Sequence, residues 1–128
     1  MLRISAIHHV AIICSDYNVS KAFYTELLGL EIISEVYRSA RDSYKLDLKI
    51  GDSQIELFSF PGTPSRVSRP EARGLRHLAF ACDDLEQSVK FLKSKGIYLE
   101  DVRIDEMTGK RFTFFADPDN LPLELYER

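Results

Sequence analysis

A chain of 128 residues with 45% apolar side chains has enough material for one packed domain with a sizeable core. Its formal charge of −3, from 17 basic and 20 acidic residues scattered along the chain, argues against nucleic acid as a partner. No apolar run approaches the length of a membrane span, and the opening MLRISAIHH has neither the apolar core nor the cleavage site of a signal peptide, so a cytoplasmic protein without membrane association is expected.

In chain order, Ile4 to Cys14 is rich in β-branched and apolar residues and predicts a buried strand. Alternation along it puts His9, Ala11 and Ile13 on one face and Val10, Ile12 and Cys14 on the other. His8 falls opposite His9 and is expected to be exposed or capping. Asp16 can cap a helix running to about Leu28, with Val19, Phe23 and Leu27 as its buried stripe and Gly29 at its end. Three strand candidates follow, Glu31 to Val36, Tyr44 to Ile50 and Gln54 to Phe60, with Gly51-Asp52 as the turn before the last. Pro61 to Gly74 is a linker by composition, and its arginines, Arg66, Arg69 and Arg73, are expected to be solvated.

The second half replays the first. Leu75 to Cys82 predicts a strand with His77, Ala79 and Ala81 on one face, and Asp84 with Gln87 three residues on has capping-box spacing. Leu85, Val89 and Leu92 form that helix's apolar stripe, and Gly96 ends it. Strands are expected at Ile97 to Ile104, Arg111 to Ala116 and Leu121 to Tyr126, with Asn120 in a left-handed turn position. His9 and His77, Glu56 and Glu124, Cys14 and Cys82, and Phe23 and Phe91 all stand 68 positions apart, as 9 to 77 and 56 to 124 show. The prediction is an α+β fold of two tandem βαβββ modules that pair into an open cup or half-barrel: a single domain over 1–128, with modules at about 1–62 and 74–128 and a linker at 63–73.

A glutamate inside an apolar strand costs free energy unless something pairs with it or ligates it. Glu56 lies between Ile55 and Leu57, and Glu124 between Leu123 and Leu125. If those neighbours pack under the helices, both carboxylates and both histidines face into the cup. Two imidazoles and two carboxylates suit a borderline divalent ion, zinc or nickel first, with cobalt, manganese or iron(II) also compatible. The two cysteines, on the opposite parity, are expected to be core residues rather than ligands or a disulfide.

The stretches HHVAII, LLGLEI, QIELF, GLRHLAFACDD and DPDNLPLELYE resemble the vicinal oxygen chelate superfamily over nearly the whole chain, and most of all its glyoxalase I (lactoylglutathione lyase) branch. The resemblance implies paired βαβββ modules, a metal held by His9, Glu56, His77 and Glu124, and chelation of two neighbouring substrate oxygens. It implies a lyase or isomerase in which a glutamate, Glu124 with Glu56 as its symmetric partner, shuttles a proton between adjacent carbons through an enediolate. Two positions depart from the family pattern. Ile13 stands where those enzymes carry an arginine and Phe60 where they carry an asparagine, both of which help hold glutathione. The departures argue against glutathione as the carrier thiol. An anionic group on another small-molecule substrate would have to be met by Arg38, Arg41, Arg69, Arg73, Lys110 or Arg111, which the sequence does not rank. The alternatives are a metal-dependent epimerase, a ring-cleaving dioxygenase of the same superfamily, and a non-catalytic module that binds a drug. A fourth protein ligand argues against the dioxygenase, and an intact ligand set argues against the binding module. Unpaired sheet edges and the habit of the glyoxalase branch predict a homodimer.

Overall fold

Each half of the chain builds a four-stranded mixed sheet, and the strand order is the same in both. The computed structural model describes all residues from 1 to 128, which divide into two units, Met1–Pro64 and Ser65–Arg128. In the first, β1 (His9–Cys14), β2 (Glu31–Arg38), β3 (Ser43–Ile50) and β4 (Ser53–Ser59) lie in the order β1-β4-β3-β2. In the second, β5 (Leu78–Cys82), β6 (Arg103–Ile104), β7 (Arg111–Ala116) and β8 (Pro122–Glu127) lie in the order β5-β8-β7-β6. The first and last strands of each module are therefore parallel neighbours. Their register is also the same, with Ala11 opposite Glu56 and Ala79 opposite Glu124. The fold is α+β, as the repeated pattern predicts.

The helices begin where side chains satisfy their first N–H groups. Asp16 accepts from the Val19 N–H and Asp84 from the Gln87 N–H, opening α1 (Tyr17–Ala22) and α2 (Leu85–Ser94). Gly29 and Gly96 follow the helical segments with φ of +72° and +77°, a conformation that costs glycine nothing. Under the helices lie the apolar strand faces: Ile12, Leu46, Leu48, Ile55 and Leu57 in the first module, Leu123, Leu125 and Phe115 in the second. Cys14 is buried on the same side as Ile12, and neither it nor Cys82 forms a disulfide. Burial pushes the Cys82 thiol above its ordinary pKa, which suits a structural cysteine. No helix is long and apolar enough to cross a membrane.

Four local expectations are corrected. The first strand starts at His9, not Ile4, because its partner β4 begins only at Ser53; Ile4 and Ile7 are exposed. Val19 is also exposed; Phe23 is buried as expected, with Ser20 and Tyr24 beside it. The buried residues Ser20, Phe23 and Tyr24 stand at i, i+3 and i+4, a stripe that leaves Val19 at its edge, and α1 lasts six residues before widening into π-helical turns over Phe23–Leu27. Of Ile97 to Ile104 only Arg103–Ile104 joins the sheet. Upstream, the Glu100 N–H donates to the Phe114 carbonyl at 2.9 Å and the Thr113 hydroxyl to the Glu100 carbonyl at 2.6 Å, replacing a ladder with two single bonds. Arg66 is not simply solvated, since its guanidinium donates to the carbonyls of Leu75 and Arg76 and to the Ser68 hydroxyl.

Candidate metal centre

Strand parity aims the site residues. Ile55 and Leu57 are buried under α1, so Glu56 between them must emerge on the opposite face of β4; Leu123 and Leu125 do the same for Glu124 on β8. The neighbouring parallel strand brings a histidine to each. His9 Nδ1 lies 3.4 Å from Glu56 Oε2, and His77 Nε2 lies 3.1 Å from Glu124 Oε1. The two carboxylates are largely withdrawn from water, with side-chain exposures of 13% and 12%. Buried carboxylates without a charged or hydrogen-bonded partner are costly, so each imidazole has an electrostatic reason to be where it is.

These distances bear on metal binding. Donors held about 2.1 Å from one ion stand about 3.0 Å apart across a right angle and about 3.4 Å apart across a tetrahedral angle. Both His–Glu pairs fall within that range without rearrangement, and imidazole with carboxylate is a donor set suited to zinc or nickel. In neither module do three His, Cys, Asp or Glu side chains converge, so each contributes one pair.

The modules differ around their pairs. Lys45, on β3, lies 3.7 Å from Glu56 and 2.7 Å from Asp47, which stands directly opposite Glu56. At the corresponding place beside Glu124 stands Phe114, whose ring meets that of His77 edge-on at 5.0 Å. No lysine or arginine pairs with Glu124. The Nδ1 atoms of His8 and His9 are 2.9 Å apart, so His8 is exposed, as expected, but also touches a site residue. Arg76 Nη1 lies 3.0 Å from His77 Nδ1. An arginine can only donate, so this contact puts the lone pair of His77 on Nδ1 and its N–H on Nε2, facing Glu124. Lys45, Arg76 and Phe114 are the site neighbours that sequence patterns missed. Lys45 was visible only as one polar position of β3, and its value depends on the register that sets it opposite Phe58.

Ile13 shares the face of His9 and is half exposed, and Phe60 stacks on Phe58 with ring centres 5.8 Å apart. In the second module a hollow of about 320 Å³ is lined by Arg69, Tyr98, Glu100, Phe114 and Asn120 among others, and by none of the four candidate ligands.

Residues 6–125 match the family described as the Glyoxalase/Bleomycin resistance protein/Dioxygenase superfamily. An uncharacterized protein of Bacillus subtilis, YwkD, is 60% identical over 99% of this chain and 100% of its own length. The uncharacterized Escherichia coli protein YaeR is 59% identical over the full length of both. The crystal structure of a glyoxalase family protein from Enterococcus faecalis superposes with a TM-score of 0.87 at 50% identity, covering 95% of this chain and 97% of that one. More distant relatives include a 2-epi-5-epi-valiolone epimerase of an Actinomyces species, 27% identical over 94% of this chain and 78% of that protein. A lactoylglutathione lyase of Schizosaccharomyces pombe is 26% identical over 93% of this chain and 46% of the lyase. With its repeated βαβββ modules and a match over nearly its whole length, the chain belongs to the glyoxalase/bleomycin resistance/dioxygenase, or vicinal oxygen chelate, superfamily.

Proposed function

We propose that the protein is a divalent-metal-dependent lyase or isomerase that moves a proton on a carbon next to a carbonyl. His9, Glu56, His77 and Glu124 are its metal ligands in this reading, and the two modules and their linker act as one functional unit. The observation that carries it is the repeated pair: in both modules an imidazole nitrogen and a carboxylate oxygen lie at ligand-to-ligand distance in the same strand register. A bound ion of the zinc or nickel type supplies Lewis-acid stabilisation of negative charge on a substrate oxygen. The chain's own part is to hold the substrate and to take and return the proton. Glu124 is the better placed base, because no lysine or arginine competes for its lone pairs, whereas Lys45 reaches Glu56.

Lyase and epimerase outcomes share the abstraction step and differ in where the proton returns. Relatives named for each fit this family-level reading. The apolar Ile13 and Phe60 offer no partner for a glutamyl carboxylate, which supports a substrate other than the glutathione adduct. Exposed apolar side chains such as Ile4, Ile7, Val67 and Leu75 support a homodimer as the working form; a monomer at micromolar concentration in solution scattering would remove that part of the proposal.

The test is solvent exchange. Metal-loaded protein is incubated in D2O with small α-hydroxycarbonyls, neutral and anionic, and loss of the C–H signal next to the carbonyl is followed by NMR. Exchange should require metal and should fall by about 10²- to 10⁴-fold in Glu124→Gln. Absence of metal-dependent exchange, or unchanged exchange in the variant, would refute the assignment.

A further inference from the structure

The sheet face that carries Glu56 continues into a cationic, aromatic platform within the first module. Phe58 follows Glu56 by two residues, so its ring stands on the same face about 7 Å further along β4. Phe58 and Phe60 stack nearly parallel, at 5.8 Å and 8°. The guanidinium carbon of Arg38 lies 5.0 Å from the Phe58 ring centre and 5.7 Å from that of Phe60, and that of Arg41 lies 5.1 Å from Phe60. An aromatic face attracts a guanidinium and shields one side of it from water while leaving its planar N–H edge usable.

Two observations set these arginines apart from the other candidate cations, Arg69, Arg73, Lys110 and Arg111. The first is that they lack acidic partners. The ion pairs of this module are His9–Glu56, Lys21–Glu35, Lys45–Asp47 and Lys45–Glu56. Asp42, beside Arg41, is instead engaged by the Tyr37 hydroxyl at 2.5 Å. Elsewhere, Arg69 is paired with Glu71 and Glu100, Arg111 with Glu127, and Lys110 donates to the Arg128 carbonyl. Arg73 sits in the linker with no stacking or pairing to place it. The second is that the Arg38 side chain is held in position. Arg38 Nη2 donates to the buried Ser43 hydroxyl at 3.0 Å, which fixes the side chain, yet its Nε is out of contact with water and has no partner. Water does not reach that Nε, so an incoming oxyanion would meet the outer edge of the guanidinium, which the bond to Ser43 holds in place.

We propose that Arg38 and Arg41, held on the Phe58–Phe60 stack, bind an oxyanion of the substrate, a carboxylate or phosphate, and thereby select an anionic α-hydroxycarbonyl. The fork of a guanidinium matches either group, and the platform lies on the Glu56 face of the sheet, where a substrate anchored at one end would extend toward the carboxylate. The identity of the substrate rests on the proton-transfer reading above; the binding of an anion does not.

The test is equilibrium binding to the metal-free full-length protein, by titration calorimetry, with inorganic phosphate, pyruvate and the uncharged hydroxyacetone as probes. Metal-free protein prevents the anions from binding an ion instead. Phosphate or pyruvate should bind at least about tenfold more tightly than hydroxyacetone. Arg38→Gln and Arg41→Gln should each weaken the anion by about tenfold or more and leave hydroxyacetone unchanged. Arg73→Gln should have no effect on any of them. Should Arg38→Gln fail to fold for want of its bond to Ser43, Arg41→Gln carries the test alone, since its guanidinium touches only the Phe60 ring. Tighter phosphate assigns a phosphorylated substrate and tighter pyruvate a carboxylate, and either supports the proposal. Equal binding of anions and hydroxyacetone, or wild-type anion affinity in Arg41→Gln, would overturn it. Because no turnover is measured, failed solvent exchange would leave this site standing, and failed anion binding would leave the proton-transfer reading standing.

Discussion

If the proposed ligand set is right, replacing His77 with alanine should remove most of the stabilisation that a bound divalent ion would confer. A ligand present at about a thousand times its dissociation constant stabilises the folded state by about 4.1 kcal/mol. For a chain of 128 residues, each kcal/mol moves the unfolding midpoint by about 3–5 °C, so nickel or zinc should raise it by about 12–20 °C. Within each module the His–Glu pair already stands at ligand spacing, 3.4 and 3.1 Å, so neither pair has to rearrange internally to accept an ion. A lost ligand that weakens affinity about a hundredfold leaves about 1.4 kcal/mol at the same metal concentration. The expected shift in His77→Ala is then about 4–7 °C. Differential scanning with and without a chelator reads the shift, and elemental analysis of dialysed protein reads the metal. The metal-free midpoint should itself fall, because the variant gives up the 3.1 Å contact with the largely buried Glu124 as well as the edge-on contact with Phe114, so the shift is read for each protein against its own metal-free form. Cys82→Ala, altered on the other face of β5, should keep the wild-type shift. An undiminished metal shift in His77→Ala would refute the ligand assignment.

The remaining predictions concern the site's neighbours and the surface. Ligation through His77 Nε2 requires the ring proton on Nδ1, where the Arg76 guanidinium now points, so Arg76→Ala should tighten metal binding severalfold in a competition titration; weaker binding would show that Arg76 supports the site. The Arg111 side chain, and then its backbone N–H, hold the Glu127 carboxyl below the usual carboxylate range. Its contribution is therefore fully present above the unfolded value of about 4.3 and is lost as pH falls through the lower folded value. Urea unfolding of Glu127→Gln should show a deficit against wild type at pH 7 that vanishes in strong acid, and a deficit independent of pH would contradict this. Turnover of the methylglyoxal–glutathione adduct by nickel- or zinc-loaded protein should be poor; efficient turnover would mean that Ile13 and Phe60 do not bar glutathione.

Much of this protein was determined by the sequence alone, through period and parity. The offset of 68 between His9 and His77 and between Glu56 and Glu124 requires two equivalent modules, and alternation with Ile55, Leu57, Leu123 and Leu125 requires both glutamates to emerge opposite the helices. Asp16, Asp84, Gly29, Gly96 and Asn120 mark ends and turns because their chemistry acts over only a few residues. What lay outside the sequence depends on partners distant in the chain. The parallel placing of β1 on β4 and β5 on β8, which sets each histidine beside its glutamate, is a matter of register. So is the position of Lys45 opposite Phe58, and the collection of Arg38 and Arg41 on two phenylalanine rings. Tertiary structure likewise chose the Ser20, Phe23 and Tyr24 stripe over Val19 and kept Ile97 to Val102 out of the sheet. Local patterns say which side of an element a residue takes; only the packing of one element on another says whom it meets there.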